Sequence, residues 1–447
     1  VGADSALALT LTTATPTVPI LSGSGAAVFD DGAKLYLTLD KILTTPTSFT
    51  ILTGSSISLG DMTTSTLDGY IPYLYHSDLT LNDTDTVLTA NFRLKTQGEA
   101  GYSANQYAAL MPVLAVVAED AGAKSSLLAA TTKDAFDQVY NQYLPDYSGE
   151  NLISLSVGSA SLNRSLSNLT LVPDNNGGQY WLQEYGYGII RSYSDTAGFK
   201  STGFSFAGGR EKQVYGNQMV GTYLSITSAS PRDTFALAAE GLSNSDLTLG
   251  VYWRLNTSNL KAWMHAGAGY DTFKSTRNIL TTTVSHVATA KWDGYSVSGG
   301  AGASYDYNLG KWGVTPQVLI DYYQLNESKH AESGGGDYFD LTVGERDGHL
   351  VTSTALLNLS YKTSFLKPEL WIGYKQNLSA TLPDTVANFT GGDSFTLVGG
   401  NIEGGGPVAG FRLSADNPYS YFSIEAEYQE LPEYTNTSVS LRTRFQF

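Results

Sequence analysis

The sequence predicts an all-β protein whose C-terminal part forms a twelve-stranded antiparallel transmembrane β-barrel. Three observations lead to this fold class. Long segments of alternating apolar and polar residues recur from residue 179 to the C-terminus, and polar, glycine-rich loops separate them. The chain of 447 residues has only 15% charged residues, with 46 glycines and 29 tyrosines. Such a composition is typical of sheet-rich proteins with many turns.

The strand segments are longer than the strands of most soluble sheets. Soluble strands most often have about five or six residues, whereas a tilted strand needs about 9–11 to cross a bilayer. Most of the segments here reach about ten residues, as a bilayer crossing requires. The predicted strands are centred near Tyr185, Ser205, Gly221, Tyr252, Ala266, Gly300, Ile320, Leu356, Ile372, Phe411, Ile424 and Arg442.

The last three strands show the alternation most clearly. Their polar faces carry charges that are expected to line the barrel interior and to neutralise one another across neighbouring strands. These interior charges are Arg412, Glu425, Glu427, Arg442 and Arg444. The opposite, apolar face of the final strand ends in Phe445 and Phe447.

Aromatic residues and loop lengths distinguish a membrane barrel from a soluble sandwich, which would also alternate. Aromatic residues near strand ends are expected to form the two interfacial girdles: Trp181, Tyr185, Tyr187, Trp253, Trp312, Tyr322, Tyr323 and Trp371. The turn Arg254–Leu260 is short and the loop Lys329–Gly348 is long. This contrast is typical of short periplasmic turns and longer outer loops.

The N-terminal third has a different pattern. Up to residue 100, short alternating runs such as Lys34–Asp40 suit the end of a β-solenoid or a small sandwich, although no strict repeat period is visible. Between residues 104 and 145, apolar residues recur at helical spacing until Pro145, which predicts two or three short helices.

Bulk properties exclude several classes of protein. The net charge of −16 argues against nucleic-acid binding, which needs clustered Lys and Arg. The chain has no cysteine and therefore no disulfide framework. The sequence contains no run of about 18 apolar residues, which is the length that a transmembrane helix needs. The first residue is Val, without a basic and apolar leader, so we expect a mature protein or a C-terminal fragment.

The segment Glu150–Leu171 is a candidate for a helix inside the barrel. Twelve strands give a lumen of roughly 14 Å, and a helix with side chains needs about 10–12 Å, so one helix fits. The residues expected to meet the wall are Ser154, Gly158, Ser159, Asn163 and Arg164. The alternation of apolar residues with serines in this segment is equally typical of a strand, and serine is a poor helix former.

Several motifs give the chain a specific resemblance. Tyr180-Trp-Leu-Gln-Glu-Tyr-Gly-Tyr-Gly188 and the terminal Leu441-Arg-Thr-Arg-Phe-Gln-Phe447 resemble the autotransporter β-domain family of type V secretion. The segments Asp321–Leu325 and Gly334–Leu341 resemble an alphaproteobacterial, sphingomonad-like subset. Phe136–Pro145 is similar to the helical element that precedes the translocator in that family.

The resemblance implies an organisation and a set of partners. It implies a passenger stub ending a β-solenoid (1–100), a helical connector (101–149), a linker helix through the pore (150–178) and the barrel (179–447). It also favours the helix over the strand for the linker. The terminal phenylalanines would be the signal for the barrel-assembly machinery. Further expected partners are outer-membrane lipid, lipopolysaccharide and the chain's own passenger.

Passenger cleavage is not expected. Many members of the family cut the passenger by cyclisation of an asparagine, in an Asn-Asn pair within the linker. Here Asn163 stands alone, and Asn175-Asn176 falls in a glycine-rich turn after Pro173. We therefore expect the passenger to stay attached.

No catalytic, cofactor or metal site is expected. Gly392-Asp-Ser-Phe395 resembles the nucleophile block of lipolytic enzymes but falls in a loop of the barrel region, where these residues are ordinary turn formers. The five histidines lie in separate segments without ligand spacing. The sequence thus predicts an outer-membrane translocator. Two alternatives stay open: a porin-like channel with an accessory domain, and a surface adhesin with a missing binding face.

Overall fold

The N-terminal region stacks parallel strands at an offset of about 30 residues. The computed structural model describes residues 1–62, 67–169, 179–192, 196–234, 236, 240–283, 285–417 and 420–446. Its first strands are β1 (Ala6–Leu11), β2 (Leu21–Ser22), β3 (Ala26–Val28), β4 (Lys34–Leu39), β5 (Thr47–Thr53) and β6 (Ser56–Ser58). The pairs β1–β4, β2–β5 and β3–β6 are parallel, with Ala6 opposite Lys34, Leu21 opposite Leu52 and Ala26 opposite Ser56. Parallel pairing of successive turns is the geometry of a β-solenoid.

An antiparallel hairpin closes this stack. Strands β7 (Tyr75–Leu81) and β8 (Val87–Leu94) pair with each other, and β8 also pairs antiparallel with β5. The turn between them is held by Asn82, whose side-chain oxygen accepts the backbone N–H groups of Thr86 at 2.7 Å and Val87 at 2.9 Å. The 30-residue offset was not recognised in the sequence, because turns of unequal length interrupt the repeat.

Four helices follow as a connector: α1 (Gln97–Ala100), α2 (Ala104–Glu119), α3 (Ala121–Ala129) and α4 (Lys133–Asn141). Side chains of Thr96 and Ser103 start α1 and α2 with capping boxes, in which each hydroxyl accepts a backbone N–H three residues later. Tyr140 of α4 donates its hydroxyl to the Gln106 carbonyl at 2.7 Å. Burial raises the pKa of Tyr140 well above its ordinary value, so this donor stays protonated.

A fifth helix, α5 (Glu150–Asn168), immediately precedes the barrel. The prediction of a helix in this segment is confirmed, although serines alternate with apolar residues there. Within the part of the chain that the structure describes, no helix combines the length and the apolar character needed to cross a membrane.

The barrel consists of twelve long antiparallel strands: β9 (Gln179–Arg191), β10 (Phe199–Tyr215), β11 (Gln218–Asp233), β12 (Gly241–Asn256), β13 (Leu260–Leu280), β14 (Ser285–Tyr305), β16 (Trp312–Glu327), β19 (Arg346–Tyr361), β20 (Lys367–Thr381), β23 (Gly404–Asp416), β24 (Ser420–Glu430) and β25 (Tyr434–Gln446). The first and last strands pair along their whole length, from Gln179 opposite Gln446 to Arg191 opposite Tyr434, which closes the cylinder. The predicted fold class and all twelve predicted strands are confirmed.

The two ends of the barrel differ. One end, called the turn end, has short connections, and strand β15 (Tyr307–Leu309) extends one of them. The other, called the loop end, has long loops that form a separate sheet of β17 (His330–Ala331), β18 (Leu341–Val343), β21 (Thr385–Phe389) and β22 (Ser394–Leu397). This loop sheet packs against α2, and its apolar residues share one core with the connector and the β-solenoid region.

Side chains alternate between lipid-facing and lumen-facing positions as predicted, but the aromatic girdle assignment was wrong for five residues. Trp181, Tyr185, Tyr187, Tyr323 and Trp371 are at most 9% exposed and face the lumen. Several inward aromatic side chains lie over a glycine directly opposite on the neighbouring strand, where a Cβ atom would collide with the ring. These pairs are Tyr187–Gly203, Trp181–Gly209, Tyr252–Gly221, Tyr223–Gly250, Trp263–Gly302 and Trp371–Gly410.

Candidate functional site

The barrel lumen is filled by α5. The helix packs against eight barrel strands, β9 to β14, β16 and β19, and most of its residues are buried. Its 19 residues give a length of about 28 Å, close to the hydrocarbon thickness of a bilayer. The chain therefore runs lengthwise through its own barrel.

The contact between α5 and the wall is close at some positions and leaves small gaps at others. A Cβ atom at Gly158 would collide with the Thr227 side chain on β11, so this position has room for glycine alone. Ser159 lines a cavity of about 10 Å³ beside Asp321 and Lys375. A second cavity, next to Arg164, holds about 30 Å³. Spaces of this size admit single water molecules rather than a continuous water column.

Asn163 is the most extensively bonded side chain of α5. Its amide nitrogen donates to the Asp321 carboxylate at 2.8 Å and to the carbonyl oxygens of Ile320 and Ala301 at 3.0 and 3.4 Å. Its amide oxygen accepts the indole N–H of Trp263 at 2.6 Å. The Asn163 side chain is fully buried, and both ends of its amide are engaged with the wall.

Arg164 meets the opposite side of the wall. Its guanidinium forms an ion pair with Glu427 on β24 and lies 5.4 Å from the centroid of the Trp371 ring. Glu427 also accepts the Trp371 indole N–H at 2.8 Å and the Gln429 amide N–H at 2.6 Å. A buried ion pair with further hydrogen bonds at the carboxylate holds a charged helix residue at a defined position.

Smaller side chains of α5 also bond to the wall. The Ser154 hydroxyl bonds Ser201 at 3.0 Å, and the Ser154 carbonyl accepts the Tyr187 hydroxyl at 2.7 Å. Ser161 accepts the Gln183 amide N–H at 2.8 Å, and the Gln183 oxygen in turn accepts an N–H of Arg442 at 3.3 Å. Polar contacts thus follow the helix along most of its length.

The interior charges form a ladder across β20, β23, β24 and β25. Arg412 donates to Glu425 at 2.7 Å and to Glu369 at 3.0 Å, and Arg442 forms a second ion pair with Glu425. Arg444 pairs with Asp416 at 2.9 Å, near the turn end. Of the five predicted interior charges, Glu427 bonds to α5, and the other four form bonds within the wall.

The backbone of Phe445 pairs with Ser420 on β24 and Tyr180 on β9. Phe447 and the pair Asn175-Asn176 lie outside the described residues.

Further residues at the two ends of α5 were missed by sequence reasoning. At the turn end, Arg254 on β12 donates to the Leu169 carbonyl at 3.1 Å and forms an ion pair with Glu211. A cation there complements the negative end of the helix dipole. At the loop end, Arg191 donates to the Ser148 carbonyl. Both arginines occupy inward positions of the strand alternation, so the same parity that identified Arg442 could have identified them.

The connector is fastened to the barrel loops by two side-chain amides that each pair with a backbone group. Asn105 donates to the Val398 carbonyl at 2.9 Å and accepts the Val398 N–H at 2.7 Å. Gln142 makes the same two bonds with Leu280, both at 3.0 Å. Arg277, fully buried on β13, donates to the Gln142 carbonyl at 3.1 Å and pairs with Glu332.

The segment that resembles a lipolytic block reaches into the loop sheet. Ser394 begins β22 in the loop sheet, where it pairs in register with Asn388. Among the described residues, no group of three or more His, Asp or Glu side chains is arranged to hold a metal ion.

A closed antiparallel barrel whose lumen is occupied by the preceding helix of the same chain defines a plugged membrane barrel with a translocator architecture. The profile of the family described as the autotransporter β-domain matches residues 180–429, more than half of the chain. The chain belongs to the autotransporter β-domain family. It is an outer-membrane translocator with a passenger domain, and the family is not one of catalytic domains.

Two solved structures are similar. The translocator domain of the autotransporter NalP from Neisseria meningitidis has 14% sequence identity and a TM-score of 0.51, with 67% of this chain and 99% of that chain covered. The transport unit of the autotransporter AIDA-I from Escherichia coli has 13% identity and a TM-score of 0.47, with 68% and 100% covered. No curated protein sequence matches the chain.

Proposed function

We propose that this translocator anchors its passenger at the cell surface without cleaving it. In this proposal the loop end faces the outside and the turn end faces the periplasm. The short connections at the turn end and the long loops at the other end support that orientation. Residues 1–100 are then a passenger stub, 101–149 a connector, 150–178 the linker through the pore and 179–447 the translocator.

The observation that carries the proposal is the hydrogen bonding of the Asn163 side-chain amide. Cyclisation of an asparagine requires its amide nitrogen to attack its own main-chain carbonyl carbon. In α5 that nitrogen donates to Asp321 and to two strand carbonyls, and Trp263 holds the amide oxygen. The side chain would have to break several buried hydrogen bonds before it could react, each worth about 1 kcal/mol net.

An electrophoresis experiment tests attachment. Intact cells producing the full protein are expected to show one outer-membrane species that carries both the N-terminal region and the barrel. Replacement of Asn163 by Asp or Gln should leave the number of fragments unchanged, because in this proposal no bond is cut at Asn163. Two fragments in the unmodified protein, merging into one in the Asn163→Gln variant, would contradict the proposal.

The barrel wall supports two further partners. The final strand β25 pairs with both β24 and β9, so its insertion completes the cylinder. We assign its end, including Phe445 and Phe447, as the signal that the barrel-assembly machinery reads. Lipopolysaccharide and outer-membrane lipid would surround the exposed apolar face of the strands. Crosslinking from Val439 to the machinery during assembly, absent when residues 445–447 are deleted, would support the first assignment.

Residual channel activity separates the translocator from a porin-like channel. The cavities beside α5 are the size of single waters. In planar bilayers the intact chain should therefore show small, unstable openings, and deletion of Glu150–Asn168 should enlarge them. Steady large currents from the intact chain would favour the porin-like alternative. The proposed work of the protein is anchoring and export, without catalysis.

A further inference from the structure

The outward face of the barrel near the loop end carries two pairs of like charges. Lys274 on β13 lies directly opposite Lys291 on β14, and Lys200 on β10 lies directly opposite Arg232 on β11. All four side chains are exposed. None of them forms an ion pair with another residue in the described portion of the chain. Like charges directly opposite one another in a sheet repel, so the arrangement stabilises nothing in the protein itself.

Both pairs lie at the same height relative to the apolar band. Tyr270 and Tyr295, also directly opposite each other, are 54% and 60% exposed and lie four residues nearer the turn end than the lysine pair. Four residues of a tilted strand correspond to about 10 Å along the membrane normal. Phe204, 50% exposed, likewise lies four residues nearer the turn end than Lys200. Aromatic girdles mark the interface, so the cations lie at the level of lipid headgroups.

The four cations lie on one side of the rim. Elsewhere at the loop end, β19 and β24 carry the exposed acidic residues Asp347 and Glu430, and the exposed Lys329 follows β16. The acid nearest to the lysine pair is Asp293, which lies one outward position below Lys291 and bonds the Tyr270 hydroxyl. The centres of the two cation pairs are three strand spacings apart, about 14 Å.

We propose that the Lys274–Lys291 and Lys200–Arg232 pairs bind the phosphate groups of outer-leaflet lipopolysaccharide. An oxyanion placed between two opposed cations accepts a charge-assisted hydrogen bond from each and converts their repulsion into attraction. Two sites about 14 Å apart on one wall suit a headgroup that carries more than one phosphate. The proposal rests on the proposed orientation, because only a loop end at the cell surface faces that leaflet.

The test compares two fourfold variants of the full chain, each with four fewer positive charges. The loop-end variant carries Lys200→Gln, Arg232→Gln, Lys274→Gln and Lys291→Gln. The turn-end control carries Arg210→Gln, Lys212→Gln, Lys311→Gln and Lys362→Gln, which are exposed cations at the opposite rim. The heat-dependent gel shift of each purified variant, compared with the unmodified chain, checks that the barrel is folded.

Native mass spectrometry then measures the binding of three lipids: lipid A with two phosphates, dephosphorylated lipid A and phosphatidylglycerol. The unmodified chain and the turn-end control should bind bisphosphorylated lipid A within twofold of each other. The loop-end variant should bind it at least tenfold more weakly, and the unmodified chain should bind dephosphorylated lipid A at least tenfold more weakly.

Three results would overturn the inference: undiminished binding to the loop-end variant, equal loss in the turn-end control, or phosphatidylglycerol binding as tight as that of lipid A. The orientation is checked separately by labelling the N-terminal region with a membrane-impermeant reagent on intact cells. Failure of that labelling would overturn the proposed function, whatever the lipid measurements show.

Discussion

The two interfaces that hold the N-terminal part of this protein to its barrel differ in chemistry. In the lumen, some serines, asparagines and one arginine of α5 hydrogen-bond to the wall, and its leucines lie in smaller apolar clusters with wall residues. At the loop end, the connector shares an apolar core with the loop sheet, including Ile279, Phe339 and Phe389. The lumen interface combines polar bonds, apolar contacts and water-sized cavities, and the loop-end interface is a single hydrophobic core.

This difference suggests a division of labour between the interfaces. The polar side chains of α5 exchange bonds to water for bonds to the wall, so these contacts add little net stability. A shared apolar core forms only when both sides are in place, and it contributes about 25 cal/mol for each Å² removed from water. We infer that the lumen contacts set the position of the chain and the loop-end core fastens it.

The largest effect is expected from Phe339→Ala. Phe339 is 1% exposed and packs against Tyr143 of the connector with ring centroids 5.4 Å apart. Deleting a buried aromatic ring costs about 3–5 kcal/mol. Hydrogen exchange in α2 to α4 should therefore accelerate strongly while exchange in α5 stays slow. The exposed Tyr338→Ala variant is the control, and equal acceleration in α5 would show that the two interfaces do not act separately.

Glu427→Gln should have the next largest effect, this time in the lumen. The substitution leaves the buried Arg164 guanidinium without its counter-charge, which costs about 3 kcal/mol. Channel openings in planar bilayers should become more frequent, while the protease resistance of the connector stays unchanged. Glu430→Gln, an exposed change on the same strand, is the matched control. If Arg164→Met restores neither closure nor stability in the Glu427→Gln background, the ion pair does not hold the helix.

Gly158→Ala is expected to cost less, about 1–2 kcal/mol. The added methyl group collides with Thr227, and the better helix propensity of alanine offsets part of the strain. The melting temperature of the folded band on gels should fall, and Thr227→Ala should restore it. The neighbouring Ser159→Ala variant, at a position beside a cavity, should change little. An unchanged melting temperature in Gly158→Ala would mean that the helix can shift away from the wall.

The structure of the barrel was predicted from the sequence more completely than the structure of the loop end. All twelve strands follow from a period of two residues, which is local information and needs no knowledge of the partner strand. The charge ladder of Arg412, Glu425 and Arg442 follows from the same parity, because neighbouring strands were known in order. The pairing of Asn105 with Val398 joins residues that are 293 positions apart, and no local sequence pattern predicts such a contact.

The inward aromatic residues show where the parity argument was available but not applied. Trp181 and Tyr187 have the same parity as Gln183 on β9, which faces the lumen, so their inward direction could have been predicted. The expectation of aromatic girdles led instead to the prediction that they face the lipid. The glycines opposite them, Gly209 and Gly203, are the further signal, since a small residue across from an aromatic one leaves space for the ring.

Acidification should loosen the loop end through His330, which probes this interface without a change in its apolar core. The His330 ring stacks on Trp292 with centroids 3.8 Å apart. Burial, aided by the Arg346 guanidinium, lowers the pKa of His330 to about 4 from the ordinary value of 6.5. The unfolded loop therefore binds a proton more readily than the folded loop between these values.

The sign follows from that difference. The contribution of neutral His330 to stability is fully present above pH 6.5 and is lost as the pH falls towards 4. Because the ring is partly exposed, we expect a loss of about 1 kcal/mol, smaller than that of the substitutions above. Hydrogen exchange of residues 330–343 should accelerate across this range after correction for the intrinsic rate. His330→Gln, which cannot titrate, should abolish the dependence. Persistence of the same acid response in that variant would assign it to other groups and remove His330 as the point at which the loop end responds to pH.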